Sequence, residues 1–166
     1  MVFNSNDPSG IEVSGSMEDQ HFVYGTAQNL STNTFTASDG YIFTGWNTKS
    51  DGSGEFYADL QLVENLTSVD GEKVNLYAQW NDVIAEINGV YYKTLQAAVN
   101  AVPTNNTLTT VKLLSNTSES ITINSNKNIV FDFQNYTIGS DRQVFAFDVP
   151  VVDKVHNLVQ RVAGLD

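Results

Sequence analysis

The sequence contains no cysteine, which excludes disulfide bonds, thiolate metal sites and cysteine nucleophiles. Basic residues are scarce, since eight Lys and Arg stand against nineteen Asp and Glu and give a formal net charge of −11. Nucleic acid binding needs clustered Lys and Arg to neutralise phosphates, so we predict no nucleic-acid partner. No apolar run approaches the roughly 20 residues of a membrane-spanning helix, so we predict no membrane insertion.

Hydrophobic residues make up 41% of the 166 residues, which is enough for a folded core. The polar fraction is carried mainly by Ser, Thr and Asn, as is typical of acidic extracellular bacterial domains. The N-terminus lacks the basic start of a signal peptide. If the protein is secreted, we therefore expect this chain to be a piece of a longer one.

Charge divides the chain near Asp82. Residues 1–82 contain about twelve acidic and two basic residues, whereas residues 83–166 contain about seven acidic and six basic residues. A composition shift of this size predicts two modules, 1–82 and 83–166. The two halves share no pattern, so they are not tandem repeats of each other.

The first half reads as short strands separated by turns. Residues 41–46 are strongly β-prone, residues 47–54 form a polar loop, and residues 26–30 are compatible with one short helical turn. In residues 74–80, alternation places every second side chain on one apolar face. We predict a small sheet covered on one side, with a structural core of Phe43, Trp46, Val74, Leu76 and Trp80.

In the second half, the spacing of apolar residues includes a stretch with the period of a helix. Apolar residues recur at helical spacing over 94–102, where Thr94 is a candidate N-cap and Pro103 ends the helix. Strands are predicted at 111–114, 121–123, 129–133 and 144–149, and a second helix near 151–163. This pattern indicates a small α+β module.

Five ordered segments of the first half resemble the Listeria–Bacteroides repeat, the B-repeat of internalins and other bacterial surface proteins. They cover residues 2–80 and read FNSN, YIFTGWNT, DGSG, YAD and LYAQW in chain order. The resemblance implies a β-grasp (ubiquitin-like) fold, extracellular exposure and a role in a stalk or adhesive region. Asp7-Pro8 replaces the family's usual Gly pair and alters the first turn.

Residues 84–139 are similar to the opening segment of pectate-lyase-like right-handed β-helix regions in bacterial surface proteins. The segments INGVYYKTLQAA and KNIVFDFQNYTI carry this weaker resemblance. It implies a capping helix followed by the first coil of a β-helix. The helix predicted near 151–163 does not belong to that pattern, so a stub with a helical end and a truncated β-helix both remain open.

Two clusters have a functional alternative to a structural role. The loop from Asp51 to Glu55, with Asp59, offers oxygens for Ca²⁺, but Phe56 and Leu62 stand where an EF-hand requires Gly and Glu. We therefore predict a solvated loop. The aromatic side chains of the first half offer a sugar-stacking platform, but we expect core positions for Trp46 and Trp80. Adjacent Tyr91 and Tyr92 point to opposite faces of an extended segment and are our candidate ligand contacts.

The ionisable residues do not indicate an active site. His21 and His156 lie in different modules without partners at ligand spacing. Asp132 resembles a β-helix motif carboxylate, but nothing in the sequence places Glu119 or Asp141 beside it for glycosidic hydrolysis. We predict no catalytic, cofactor-binding or metal-binding residues and no cofactor.

The sequence thus predicts a non-enzymatic module of a secreted bacterial cell-surface protein, acting as a spacer, stalk or adhesive repeat. Its partners would be host or cell-wall surface proteins or glycans. The alternative is a fragment of a carbohydrate-binding or carbohydrate-degrading β-helix protein. A third hypothesis is an oligomer formed through unpaired strand edges of the second module.

Overall fold

The structure is a computed structural model that describes residues 1–139 and 145–148. The chain divides into two compact units, Met1–Asn81 and Asp82–Asp166. The described residues form a mainly β structure of open sheets with one short helix. The helix predicted near 151–163 lies outside the described residues.

The first unit contains a four-stranded sheet and two small antiparallel ribbons. The sheet has the order β1-β8-β5-β6, in which β1 is parallel to β8 and β5 is antiparallel to β6. The ribbons pair β2 with β4 and β3 with β7. The strands are β1 (Val2–Asn4), β2 (Val13–Ser14), β3 (Gln28–Asn29), β4 (Thr36–Ala37), β5 (Tyr41–Asn47), β6 (Phe56–Tyr57), β7 (Leu62–Val63) and β8 (Asn75–Asp82).

The helical turn predicted at residues 26–30 is wrong. These residues contain β3, and the backbone N–H of Leu30 donates to the carbonyl of Gln61 at 2.9 Å. Leu30 is buried, with 1% of its surface exposed. Burial of Leu30 and pairing with β7 override a weak local preference for a turn of helix.

The core of the first unit is built around Trp46, which is completely buried. The rings of Phe3 and Phe43 each lie 4.9 Å from the Trp46 ring, centroid to centroid. Trp46 comes immediately after Gly45, where φ is +145° and an added Cβ would meet the Phe56 ring and the Tyr57 carbonyl. Gly45 therefore lets β6 approach β5 closely beside the buried indole.

The second unit begins with a hairpin and a helix. Strands β9 (Ala85–Ile87) and β10 (Val90–Tyr92) are joined by Asn88-Gly89, both with positive φ, as in a type I′ turn. Helix α1 (Leu95–Ala101) follows and buries Leu95, Ala98 and Val99. The remaining strands are β11 (Leu108–Leu113), β12 (Ile121–Asn124), β13 (Asn128–Asp132) and β14 (Phe145–Asp148).

These last four strands form two parallel, in-register pairs. Strand β11 pairs with β13, strand β12 pairs with β14, and a parallel bridge joins Thr117 to Ile138 between them. One passage of the chain, β11 then β12, is therefore followed by a second passage with the same strand directions. Buried side chains stack in register, as with Val111 and Phe131. We call this arrangement the stack.

Candidate functional site

The polar loop of residues 47–55 is organised by one buried side chain, Asn47. Its amide donates to the carbonyls of Gly52 and Gly54, and its oxygen accepts from the backbone N–H groups of Lys49 and Gly54. A Cβ at Gly54 would collide with Thr48 Oγ1 and Asn47 Oδ1. The loop is thus held by internal hydrogen bonds, whereas its sequence alone predicts only a polar, solvated loop.

The acidic groups of this loop do not converge on a cation site. The Asp51 carboxylate accepts from the backbone N–H of Ser53 at 2.9 Å, and hydrogen bonds from Ser53 lower the pKa of Asp51. The Asp59 carboxylate instead accepts from Asn33 N–H and Thr32 Oγ1. Within the described residues, no group of three His, Asp or Glu side chains is arranged to hold a metal ion.

The aromatic residues of the first unit lie in or against its core. Trp46 and Leu76 are fully buried, whereas Trp80 and Phe43 are partly buried and pack on the same cluster. The indole N–H of Trp80 donates to the carbonyl of Ser5 at 2.8 Å. Val74 is half-buried and precedes β8 by one residue. An exposed sugar platform built on both indoles is incompatible with this arrangement.

Burial also raises the pKa of Tyr57 to about 12, with a further contribution from the Glu55 carboxylate. Tyr57 pairs with Trp46 across β5 and β6, and it is 7% exposed. A phenol in this position is held neutral at physiological pH and acts as a core side chain.

Tyr91 and Tyr92 occupy opposite sides of β10. Tyr92 is half-buried and packs against the core of the second unit, whereas Tyr91 is 46% exposed. Register places Tyr91 opposite Glu86, Glu86 opposite Lys112, and Lys112 opposite Asp132. We call this line across four strands the outer row. Lys112 Nζ lies 3.8 Å from Glu86 Oε2, so the charges of the row are partly compensated.

The carboxylates considered for hydrolysis have separate structural roles. Asp132 accepts hydrogen bonds from the backbone and side chain of Gln134. Glu119 accepts from the backbone N–H groups of Leu95 at 2.7 Å and Gln96 at 3.1 Å, at the start of α1. With the Thr94 side chain accepting from Ala97 N–H, three unpaired N–H groups of the first turn are satisfied. Asp141 and His156 lie outside the described residues.

One end of the stack is closed by α1 and β9. Gln96 accepts from the N–H of Thr122 at 2.6 Å and donates to its carbonyl at 2.9 Å, so a side-chain amide takes the place of a neighbouring strand beside β12. Strand β9 pairs antiparallel with β11. Lys127 donates to the carbonyls of Asn100 and Val102 at the end of α1. No sequence pattern indicates these roles of Gln96 and Lys127, because their partners are remote backbone atoms.

An open groove of about 670 Å³ lies in the first unit between residues 16–21 and 28–34. Its lining includes Glu18, Asp19 and the exposed His21. Asp19 is paired with Lys73 at 3.3 Å, and the Gln20 side chain bonds to Asn29 and Ser31. The Gln20 contacts connect the two walls of the groove, so the Asp19 and Gln20 side chains both have partners within the first unit.

Comparison with known proteins identifies one short similarity. A stretch of 58 residues, 35% of this chain, is 43% identical to a protein of Evansella cellulosilytica described as a "Putative Gly-rich membrane protein". The match covers 6% of the length of that protein. No family model matches the chain, and no solved structure matches it. Among the described residues, no helix has the length and hydropathy needed to cross a bilayer.

Proposed function

We propose that this chain is a non-enzymatic module of a secreted bacterial cell-surface protein. In this proposal the first unit is a β-grasp B-repeat that acts as a spacer or adhesive repeat, and the second unit begins a right-handed β-helix. The observation that carries the proposal is the parallel, in-register stack, closed at one end by α1 and β9. A closed end next to parallel strands is what the first coil of a β-helix requires.

The topology of the first unit supports the β-grasp part of the proposal. The first strand, β1, lies parallel to the last strand, β8, and next to it in the sheet. The motif residues have matching structural roles, because Trp46 forms the core and Asn47 and Gly54 fix the loop. The unit departs from the family expectation in lacking a helix within residues 1–81, all of which the structure describes.

The mechanism of a spacer is mechanical and needs no cofactor. Each unit has its own hydrophobic cluster, and the chain has no cysteine that could tie it to a redox environment. The short match to a protein described as a membrane protein supports an address at the cell envelope. The excess of acidic residues keeps such a module solvated and limits self-association.

Limited proteolysis of intact cells of the source organism tests the proposed location. If the chain is exposed on the cell surface, protease added outside should release its peptides while a cytoplasmic marker protein stays intact. Release of these peptides only after cell lysis would contradict the proposal. Released peptides should include the exposed segment around Val69, which is 60% exposed.

Carbohydrate binding is a second candidate function, favoured by the outer row. Tyr91 offers an exposed ring opposite Glu86, with Lys112 one strand further along the row, and such groups suit stacking and hydrogen bonding to sugars. Co-sedimentation with insoluble cellulose, chitin and peptidoglycan tests this candidate. Binding that is lost in Tyr91→Ala but kept in Tyr24→Ala would support it, and absence of binding to all three polymers would exclude it for them.

A further inference from the structure

The β3–β7 ribbon of the first unit presents leucine side chains to solvent. Leu30 and Val63 are buried on one side of the ribbon, whereas Leu62 is 62% exposed and Leu60 is 51% exposed. Leu62 is the register partner of the exposed Asn29, whose side-chain amide donates to the carbonyl of Leu60 at 2.9 Å. We call Asn29, Leu60 and Leu62 the leucine face.

The backbone at Leu60 makes this exposure unusual. Its φ is +58°, a left-handed conformation that Gly and Asn adopt far more readily than Leu. Surrounding contacts hold it there, since Gln61 N–H donates to the Ala58 carbonyl and the Asp59 carboxylate accepts from Asn33 N–H. A large apolar side chain is thus displayed at a position where both backbone and solvent disfavour it. Strain of this kind occurs at binding sites.

Further apolar side chains lie near one end of the same ribbon. Val23 and Tyr24 are 70% and 71% exposed. Their turn is held by a hydrogen bond from Gly25 N–H to Asn65 Oδ1 at 2.6 Å. Asn65 follows Leu62 by three residues, so this hydrogen bond joins the turn to the segment directly after β7. Six large apolar side chains are exposed in the first unit, and four of them (Val23, Tyr24, Leu60 and Leu62) lie on this ribbon or on the turn bonded to Asn65, whereas the other two are Phe56 and Val69.

The charge of the first unit indicates what partner would fit this surface. Asp59 and Glu64 flank the leucine face and are exposed. Met1–Asn81 contains eleven acidic and two basic residues. A second copy would bring the same excess negative charge and be repelled, whereas Lys or Arg beside apolar side chains would complement the face.

We infer that the leucine face is a docking site for a partner segment in which apolar side chains are flanked by Lys or Arg. The apolar side chains would cover Leu60 and Leu62, and the cations would lie beside Asp59 and Glu64. This inference goes beyond the spacer role and does not depend on it, because it concerns what the first unit contacts rather than where the chain resides.

Fluorescence anisotropy with two labelled peptides tests the inference on the full chain. One peptide alternates leucine and lysine, and the other has serine in place of every leucine and so has the same charge. The test variant is Leu60→Asn with Leu62→Thr, since Asn tolerates positive φ and Thr is β-prone. The control variant is Val69→Thr, which alters an equally exposed residue of the same unit.

We expect the leucine–lysine peptide to bind at least about tenfold more tightly than the serine–lysine peptide, and the double variant to lose most of this difference. The Val69→Thr control should keep the difference in affinity between the two peptides, to within about twofold. The melting temperature of each variant is measured by tryptophan fluorescence. A value equal to that of the native chain shows that the fold is retained. Equal binding of the two peptides, no binding, or unchanged binding by the double variant would overturn the inference. So would concentration-dependent self-association that the double variant abolishes, because the occupant would then be a second copy.

Discussion

The two units solve the problem of a small core in different ways. Four of the eight buried residues in the first cluster are aromatic, and three of them (Phe3, Phe35 and Tyr57) neighbour the fourth, Trp46. In the second unit, Phe131 is the only aromatic residue among the twelve buried residues of its cluster within the described part of the chain. The first unit therefore concentrates its packing on Trp46, whereas the second distributes it over stacked aliphatic side chains.

The comparison extends to charge. The first unit has eleven acidic and two basic residues, and the second, Asp82–Asp166, has eight acidic and six basic residues. In the second unit, basic side chains have defined structural partners, as with Lys112 beside Glu86 and Lys127 at the end of α1. The first unit also has an ion pair, between Lys73 and Asp19, so the two units differ in the excess of carboxylates on the first rather than in the presence of such contacts.

Removing the central indole is expected to have the largest effect. Trp46→Ala should destabilise the first unit by about 3–5 kcal/mol, because it deletes a completely buried ring that contacts Phe3 and Phe43. Trp80→Ala should cost less, since Trp80 is only partly buried. Thermal unfolding of each variant, together with hydrogen exchange of the peptide that contains residues 41–47, measures the loss of stability caused by each substitution. An equal loss from the two substitutions would contradict a core centred on Trp46.

Loss of the Asn47 side chain, which fixes the loop of residues 47–55, should have the next largest effect. Asn47→Ala removes a buried side chain with four hydrogen bonds and should cost about 2–3 kcal/mol. Asn81→Ala, at an exposed position of β8, is the control and should change stability by less than about 0.5 kcal/mol. Urea unfolding of the three proteins measures the difference. A similar midpoint for the native chain and Asn47→Ala would mean that the loop is not fixed by this side chain.

In the second unit, removal of the carboxylate that caps α1 should cause a smaller loss of stability, confined to the region of the helix. Glu119→Ala should cost about 1–2 kcal/mol, since it leaves the N–H groups of Leu95 and Gln96 without their carboxylate. Glu119→Gln keeps one acceptor and should cost less. The rate of hydrogen exchange in residues 95–101 should increase from the native chain to Glu119→Gln and further to Glu119→Ala. No change in this segment would exclude the capping role.

The last effect, which is absent at neutral pH, is a pH dependence of the first unit in alkaline solution. The pKa of Tyr57 is raised from 10.0 to about 12 in the folded chain. Between these values the unfolded chain has released the phenol proton and the folded chain has not, so stability falls as pH rises. Melting temperature measured from pH 9 to 12 should fall less steeply in Tyr57→Phe than in the native chain. Parallel curves would show that Tyr57 does not contribute.

Local chemistry explains which features the sequence could predict. Thr94 before an apolar helical pattern predicts an N-cap, and Pro103 after it predicts an end, because both depend on neighbouring residues. The structure has α1 at Leu95–Ala101 with Thr94 as its N-cap. The alternation in residues 74–80 likewise predicts burial of Leu76 and Ala78 in β8.

Features that depend on remote partners could not be predicted in this way. The parallel register of β11 with β13, the Gln96 contact with Thr122 and the Glu119 contact with α1 join residues about twenty or more positions apart. The prediction of a helical turn at residues 26–30 is wrong for the same reason, because β3 is formed by pairing with the remote strand β7. The exposure of Leu60 and Leu62 follows from tertiary packing and leaves no signature in composition.

Disulfide formation between engineered cysteines tests the stack, on which the proposed function rests, most directly. Thr110 and Val130 are register partners in parallel strands, at the spacing of about 5 Å between Cα atoms that a disulfide spans. The native chain has no cysteine, so Thr110→Cys with Val130→Cys creates a unique pair. We expect this pair to oxidise readily and Thr110→Cys with Gln134→Cys, in which Gln134 lies in the turn after β13, to stay reduced. Equal oxidation of both pairs, or none in the first, would contradict the in-register stack.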